Sequence, residues 1–252
     1  MPTTTIPMDR TTEDALFEQL QEKGFTCLDD AIDPAFLDEC RQKVDSMLDQ
    51  RGHRYFSVIQ PQADEGSPFA AIAETPDFVD LLRNLARRGH SEAAVENFEL
   101  YNVLRVIAGK EVAKRCFEFH YDATVVTALM PLYIPEGPLG TTGELAIFPN
   151  KRNFRFSSFF NIFEKIILQN PISFYFYRTK FFRDRWRIVN LKPGNLYFFW
   201  GYRTFHGNLP CLPGQKRATL IFHFGDPHAG DLLTKAVLKL RKYREARRLR
   251  AA

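Results

Sequence analysis

A histidine and a carboxylate stand two residues apart in the stretch Phe119-His120-Tyr121-Asp122. The surrounding sequence predicts a β-strand, and residues i and i+2 of a strand project from the same face. His120 and Asp122 could therefore converge on one point, where an imidazole and a carboxylate suit a divalent transition metal. They would supply two thirds of a two-histidine, one-carboxylate ligand set. The alternative is a buried histidine with its hydrogen-bond partner, so the meaning of the pair depends on the rest of the chain.

A third ligand is available far downstream, in His206. It follows a predicted strand and a turn, and it lies eleven residues before Arg217, which opens a mostly apolar strand. A guanidinium on an apolar strand face needs an anion as its partner. A dicarboxylate held by the metal at one end and by Arg217 at the other would explain both groups. Two alternatives stay open: His223 could be the ligand in place of His206, and Arg217 could be a plain surface residue, although its neighbour Lys216 is the more natural solvated side chain.

The N-terminal part of the chain is predicted to be mainly helical. Capping signals and helical spacing of apolar residues predict helices over residues 11–23 and 34–50 and from residue 75 onward. A short strand is expected at 25–28, and the mixed segment 51–73 is predicted to be a loop. This half would supply the flank on which a β-rich half packs.

From residue 98 the pattern changes to short stretches rich in β-formers. Six strands are predicted, over residues 98–106, 117–131, 143–149, 186–189, 196–200 and 218–224. Helices first and short strands afterwards indicate an α+β domain whose second half is a β-sandwich or barrel. We expect one domain over 1–252, with a helical flank at 11–97, a β-rich part at 98–228 and a C-terminal helix at 229–252.

Composition limits the class of protein. At 252 residues, with 45% hydrophobic content and 24 phenylalanines, the chain can bury a sizeable core. The four cysteines are scattered without a C-x-x-C pair, which argues against a disulfide framework or a zinc knuckle and favours a reducing compartment. No signal region and no run of about eighteen apolar residues occurs. These features predict a cytoplasmic protein without a membrane span.

The net charge of +4 is concentrated in the C-terminal tail. Between residues 235 and 250 there are eight basic residues and one acid, so the rest of the chain carries a net negative charge. A nucleic-acid partner for the domain is therefore not indicated. An apolar stripe in the tail predicts an amphipathic helix, which could rest on anionic membrane, remain solvated or touch RNA.

The segment 151–190 is unusually aromatic. Residues 154–182 contain nine of the 24 phenylalanines, with basic residues interleaved toward the end. The pattern predicts an apolar helical face followed by aromatic runs, and polar residues interrupt it too often for a membrane span. It could pack on the domain, cover the active site as a lid or lie in a membrane interface.

Taken in order, the motifs resemble the iron(II)/2-oxoglutarate-dependent dioxygenases and, more narrowly, the phytanoyl-CoA dioxygenase-like family. The matching pieces are His120-Tyr-Asp-Ala-Thr, Gly143-Glu-Leu-x-x-x-Pro149, Pro193-Gly-Asn, His206-Gly-Asn and Arg217. The helix–strand–helix pattern over 20–49 is similar to the opening of that family. The segment 151–190 departs from it in length and aromatic content, which leaves the substrate open.

The resemblance implies a double-stranded β-helix, the jelly-roll fold of cupins, with flanking N-terminal helices. It implies that His120, Asp122 and His206 bind iron(II). It also implies that 2-oxoglutarate chelates the iron through its 2-oxo and C1 carboxylate groups, with its far carboxylate on Arg217. Reaction with O2 would release succinate and CO2 and hydroxylate an unactivated C–H bond. Because the halogenating branch of this chemistry lacks the carboxylate ligand, Asp122 favours hydroxylation.

Further candidates for the cosubstrate site rest on position alone. Thr127 is predicted to place a hydroxyl beside the cosubstrate carboxylate, although a core threonine fits equally well. Tyr101, Asn102 and Asn208 are proposed only because they lie near the motifs. These residues are expectations that the fold can test.

The expected substrate is a small or lipid-linked molecule, either the sugar of a glycolipid or an acyl or natural-product compound. The aromatic and basic segments add an expectation of peripheral contact with the inner face of an anionic membrane. Two other functions fit the same residues. One is a non-enzymatic β-helix protein that binds membrane or a partner, and the other is a zinc hydrolase that uses the same ligands.

Overall fold

The computed structural model describes residues 3–5, 7–109, 116–150, 179 and 185–228. Most of the predicted aromatic insertion at 151–190, and the whole predicted basic helix at 229–252, lie outside the described residues. Within the described part of the chain, no helix is long and apolar enough to cross a membrane. The fold class is α+β, a double-stranded β-helix with flanking helices, as the sequence predicts. The single-domain boundaries stay a prediction.

Helices form most of the N-terminal flank. They are α1 (Arg10–Lys23), α2 (Pro34–Gln50), α3 (Phe69–Ala73) and α4 (Pro76–Gly89). The α2 helix begins where the sequence predicts, because the Asp33 side chain accepts from the backbone N–H groups of Ala35 and Phe36. The α1 helix begins slightly earlier than predicted, since its N-cap is Asp9 rather than a residue of the 11–14 segment.

The strands form two facing antiparallel sheets. They are β1 (Phe25–Leu28), β2 (Phe56–Ile59), β3 (Tyr101–Ile107), β4 (Val126–Tyr133), β5 (Leu145–Phe148), β6 (Arg187–Val189), β7 (Leu196–Trp200), β8 (Phe205–Asn208) and β9 (Arg217–Phe224). The large sheet has the order β1-β7-β4-β9-β3-β2, and the small sheet has the order β6-β5-β8. Two facing antiparallel sheets of this kind enclose an interior lined by alternate residues of each strand.

Alternating side chains divide the molecule into layers. One face of the large sheet packs on α1, α2 and α4 in the main core, with Leu104 and Phe222 among its members. The opposite face turns toward the small sheet, where Leu129 and Ile147 belong to a second core. Polar residues of the candidate site share this interior with the second core.

Three sequence-based assignments are wrong. The segment 51–73, predicted as a loop, contains β2, a 3₁₀ turn and α3. The predicted strand 117–131 begins only at Val126, and the part before it has a single β-bridge, between His120 and His206. The strand β8, which carries His206, is not among the predicted strands. These segments are short and are held by partners distant in sequence, so their own residue pattern is a weak signal.

Candidate metal centre and anion site

His120, Asp122 and His206 converge in the interior between the two sheets. Asp122 Oδ1 lies 3.3 Å from His120 Nε2 and 3.6 Å from His206 Nε2. The ring centroids of the two histidines are 4.5 Å apart. Ligands that each bind one first-row metal ion at about 2.1 Å lie roughly 3 to 3.5 Å from one another. The two carboxylate–imidazole distances are close to this range, and all three candidate ligand atoms lie within 4.8 Å of one another, so the set could hold one divalent metal.

Backbone hydrogen bonds hold the two histidines against each other. His120 N–H donates to His206 O at 2.8 Å, and His206 N–H donates to His120 O at 3.0 Å. Asp122 N–H donates to Gly201 O at 3.0 Å, which fixes the carboxylate beside the end of β7. The side chains thus converge as predicted, but the cause is this long-range bridge rather than a continuous strand through 117–131.

Both histidines have the same second hydrogen bond, which sets their tautomer. The Nδ1 atom of His120 lies 2.9 Å from Glu118 O, and that of His206 lies 3.0 Å from Thr204 O. A carbonyl oxygen only accepts, so each Nδ1 carries the hydrogen and donates. The lone pair of each neutral ring is then on Nε2, which points toward Asp122 and is free to bind a metal.

The charges of the three groups suit metal binding. Burial lowers the pKa of His206 to about 4. Burial also acts to lower the pKa of His120, but its hydrogen bond to Asp122 and the charge of that group outweigh burial and raise it. Burial acts to raise the pKa of Asp122, yet the nearby histidines, His206 and His223 foremost, hold it well below its usual range. The result is an ionised carboxylate beside a neutral imidazole, the forms that bind metals.

The site opens on the side of His120. The His120 side chain is 34% exposed, against 9% for His206 and 7% for Asp122. Beside His120, Arg105 on β3 forms an ion pair with Glu118 at 3.3 Å. A molecule that approaches the centre from this side therefore meets charged groups as well as the open imidazole.

Arg217 is a buried cation on the inner face of β9. It is 2% exposed, and burial lowers its pKa to about 10, so it stays charged at neutral pH. The charge of the buried Glu144 acts on it from a distance, but no carboxylate of the described residues forms an ion pair with it, and its Nε–H has no acceptor there. A buried charge without a directly paired counter-ion is costly. The surface alternative for Arg217 is thus wrong, and the arrangement indicates a binding site for an anion.

Asn208 and Thr219 lie beside Arg217 and are further candidate contacts for an anion. With its amide oxygen turned toward Arg217, Asn208 accepts from Nη1 at 2.7 Å and Nη2 at 2.9 Å. Asn208 follows His206 by two residues on the same face of β8, a step of about 6.6 Å along a strand. Thr219 follows Arg217 by two residues on the same face of β9, and its buried hydroxyl has no partner in the described part of the chain. Thr219 is not among the residues predicted from the sequence, although its i+2 spacing from Arg217 was available as a signal.

Two other predicted cosubstrate residues lie elsewhere. The Thr127 hydroxyl donates to Asp122 Oδ2 at 2.5 Å, so it contacts a candidate metal ligand rather than Arg217. Asn102 lies on the outer face of β3, toward the helices, and its placement in the cosubstrate site is wrong. The alternation of β3 turns Tyr101 inward instead, where its ring packs against His223 with 5.9 Å between centroids.

His223 lies beside the ligand set without joining it. Its Nδ1 is 3.8 Å from Asp122 Oδ2, which is not the oxygen that faces the other two histidines. The same atom is 3.3 Å from the hydroxyls of Thr124 and Thr127. The geometry therefore favours His206 over His223 as the third ligand.

Comparisons with known proteins bear on the fold. The sequence matches no protein-family profile and no curated protein. The structure is similar to SnoK, a non-heme alpha-ketoglutarate (2-oxoglutarate) dependent carbocyclase from nogalamycin biosynthesis, with a TM-score of 0.56 and 13% identity over 94% of this chain and 93% of SnoK. It is similar to the alpha-ketoglutarate-dependent epimerase SnoN at a TM-score of 0.54 and 14% identity, over 86% of this chain and 84% of SnoN.

A third similar structure is a prolyl 4-hydroxylase from Phytophthora capsici, with a TM-score of 0.56 and 16% identity over 90% of this chain and 68% of that chain. At such identities the likeness establishes the fold. Fold and site together define a double-stranded β-helix protein with a two-histidine, one-carboxylate set and a buried arginine in its interior. None of these three structures is described as phytanoyl-CoA dioxygenase-like.

Proposed function

We propose that the protein is an iron(II)- and 2-oxoglutarate-dependent dioxygenase that hydroxylates an unactivated C–H bond. The observation that carries the proposal is the presence, in one interior, of the His120–Asp122–His206 set and of a buried Arg217 that forms no ion pair with a described carboxylate. A metal alone would not need Arg217, and a purely structural buried arginine would be expected to have a carboxylate paired with it. A cosubstrate with a chelating end and a carboxylate end uses both groups.

In this proposal each end of the site has a defined task. His120, Asp122 and His206 would hold iron(II), while Arg217 and Thr219 would bind the far carboxylate of 2-oxoglutarate. The two-residue step along β8 between the metal ligand and the anion site, about 6.6 Å, suits an extended five-carbon dicarboxylate. When bound, iron(II) supplies the activation of O2, coupled to conversion of 2-oxoglutarate to succinate and CO2. The surrounding chain orients the cosubstrate, and the Nδ1 hydrogen bonds of both histidines direct their Nε2 atoms at the metal position.

The substrate is proposed to be small or lipid-linked, of glycolipid-sugar, acyl or natural-product type. The aromatic and basic composition of 151–190 supports this class, and so do the charged groups at the open side of the centre. SnoK and SnoN belong to nogalamycin biosynthesis, which supports a natural-product type of substrate. The narrower assignment to the phytanoyl-CoA dioxygenase-like family rests on the ordered motifs. A cytoplasmic location with peripheral membrane contact rests on composition and on the basic tail.

Anaerobic addition of iron(II) and then 2-oxoglutarate tests the proposal. A weak visible charge-transfer band should form, and it should require both additions. In air, a screen of lipid-linked sugars, acyl compounds and natural products should then find succinate release that depends on substrate. A zinc hydrolase would act without O2 or 2-oxoglutarate. Folded protein that gives no band would overturn the proposal and leave the non-enzymatic alternative.

Gly143→Ala should weaken binding of 2-oxoglutarate by displacing Arg217. Gly143 has a φ of +75°, and an added Cβ would lie 2.5 Å from both Arg217 Cδ and Cys211 Sγ. Because misplacing a binding group by about 1 Å can cost a factor of 100, we expect the dissociation constant to rise by about tenfold or more. Titration of the charge-transfer band with 2-oxoglutarate measures it.

Gly140→Ala is the matched control for that substitution. Gly140 also has a positive φ, +91°, but an added Cβ there has nothing within 4 Å. Both variants therefore have the backbone strain of a left-handed alanine, and only Gly143→Ala has the clash. Equal dissociation constants for the two variants would contradict the assignment of Arg217.

A further inference from the structure

The two oxygens of Asp122 have different surroundings. Oδ1 faces the Nε2 atoms of His120 and His206 at 3.3 and 3.6 Å. Oδ2 accepts a hydrogen bond of 2.5 Å from Thr127 Oγ1. Thr127 is only 1% exposed, so no water competes for this bond, and a hydrogen bond to an ionised carboxylate is among the stronger kinds. One oxygen is therefore directed at the metal position and the other is already occupied.

His223 lies within hydrogen-bonding distance of the Thr127 hydroxyl. Its Nδ1 lies 3.3 Å from Thr127 Oγ1. The Thr127 hydroxyl has one hydrogen, and that hydrogen is used on Asp122, so toward His223 the same oxygen can only accept. With its hydrogen on Nδ1, His223 donates to Thr127 Oγ1 or to Thr124 Oγ1, which lies at the same distance of 3.3 Å. In the arrangement with Thr127 as acceptor, the chain of donors runs from His223 through Thr127 to Asp122 Oδ2, and each bond polarises the next.

The absence of a side chain at Gly201 leaves room for the contact between Thr127 and Asp122. Its carbonyl oxygen accepts from Asp122 N–H at 3.0 Å, so the backbone passes directly beside the carboxylate. An added Cβ at Gly201 would overlap Thr127 Oγ1 and lie 2.9 Å from Asp122 Oδ2. A residue with any side chain would separate the threonine from the carboxylate. The backbone at Gly201 therefore contributes to the Thr127–Asp122 contact as much as the two side chains do.

We propose that Thr127 and His223 are positioning residues that hold Asp122 in coordination through one oxygen. The inference rests on the proposed function, because it requires a metal at the centre. With Oδ2 occupied by Thr127, the carboxylate cannot turn to bind a metal through both oxygens. The coordination position that Oδ2 would occupy in a two-oxygen arrangement therefore stays open. A chelating cosubstrate and O2 need open positions in addition to those of the three protein ligands. Thr127, proposed from the sequence as a cosubstrate contact, acts instead on the metal ligand.

The test compares Thr127→Val, which keeps the shape and loses the hydroxyl, with Thr127→Ser, which keeps the hydroxyl. The probe is the metal alone: anaerobic titration of the metal-free protein with iron(II), and with cobalt(II), whose visible spectrum reports coordination number. We expect Thr127→Val to weaken binding of either metal by about 10- to 100-fold and to change the cobalt(II) spectrum. Thr127→Ser should keep both. Thr127→Val with the wild-type affinity and spectrum overturns the inference.

Thr26→Val is the matched control. Thr26 on β1 is 3% exposed and its hydroxyl also makes a side-chain hydrogen bond of 2.5 Å, to Gln19 Oε1, on another part of the large sheet. Thr26→Val should lose stability without changing metal affinity. If Thr127→Val is too unstable to titrate, Gly201→Ala keeps the Thr127 hydroxyl, and it should reproduce the weaker metal binding. Unchanged affinity in that variant overturns the inference equally.

Combining substitutions of His223 and Thr127 tests whether His223 acts on Asp122 through Thr127. His223→Phe should weaken cobalt(II) binding less than Thr127→Val, because it removes the outer donor only. In the Thr127→Val background it should add little, since the connection through Thr127 is already lost. Fully additive effects would exclude His223 from the chain of donors. If the wild-type protein binds neither metal, the proposed function itself fails, and this result differs from loss in a variant alone.

Discussion

His206→Ala should abolish iron(II) binding and the charge-transfer band. His206 is buried, its Nδ1–H donates to Thr204 O, and its Nε2 faces Asp122. Loss of a residue that merely supports a metal ligand costs about 10- to 100-fold in affinity, so loss of a ligand should exceed 100-fold. Anaerobic titration followed by the visible spectrum measures this. Added imidazole should restore part of the band, because the substitution leaves a cavity of the shape of the missing ring.

Two other histidines serve as controls for this substitution. The side chain of His53 is 71% exposed, and His53→Ala should bind iron(II) as the wild type does. His223→Ala separates the two candidate ligand sets. If His223 were the third ligand, its loss would match that of His206→Ala in size. A retained, weaker band in His223→Ala together with no band in His206→Ala would agree with the geometry described here.

Arg217→Met should remove the affinity for 2-oxoglutarate while leaving metal binding intact. Loss of one partner from a buried ion pair costs about 3 to 5 kcal/mol, which is about 100-fold or more in dissociation constant. The wild type should prefer 2-oxoglutarate strongly over 2-oxopentanoate, which lacks the far carboxylate, and the variant should lose that preference. Titration of the band with each acid measures both effects.

Lys216→Met is the matched control for Arg217→Met. Lys216 is the neighbouring cation, and it pairs with Asp45 at 2.6 Å on the outside of the sheet. Its loss should leave the affinity for both acids unchanged. Urea unfolding without cosubstrate adds a second readout, because replacing a buried charge that lacks a counter-ion should not lower the free energy of unfolding. A variant that binds 2-oxoglutarate as tightly as the wild type would disprove the anion site.

The elements that the sequence predicts best are those with local signals. The α2 helix follows from Asp33 and Pro34, which cap and start it, and β7 follows from a continuous apolar run. Both are confirmed at the predicted positions. By contrast, β2 and β8 have four residues each and are defined by their pairing with β3 and β5. Their own residues are too weak a signal to specify a strand without the partner, although β1, also of four residues, is confirmed at its predicted position.

The residue types of the site were predictable, while their arrangement depends on long-range contacts. The spacing of His120 and Asp122 suggested a metal pair, and the order of motifs suggested His206 and Arg217. What brings the histidines together is a backbone bridge between residues far apart in the chain. No local pattern contains such a contact.

It was harder to predict which residues of the large sheet face the helices and which face the small sheet. Residues of both faces are buried along β4 and β9, because one face meets helices and the other meets the small sheet. Hydrophobic alternation therefore gives no indication of which residues turn inward. This explains why Thr219 on β9 was missed; Asn102 was proposed only from its position near the motifs, which does not say to which face of β3 it turns.

The pairing of β5 with β6 has a consequence for the long segment between them. Ile147 pairs with Arg187 in adjacent strands, so the chain leaves the small sheet and returns to it at neighbouring positions. The two strands are antiparallel neighbours, and residues 149–186 connect them. Each doubling of the length of a flexible loop costs only about 0.6 kcal/mol in closure entropy. Chimaeras that exchange this connection for one of different length should therefore keep the strand register that positions His206, so that specificity could be engineered separately from the metal centre.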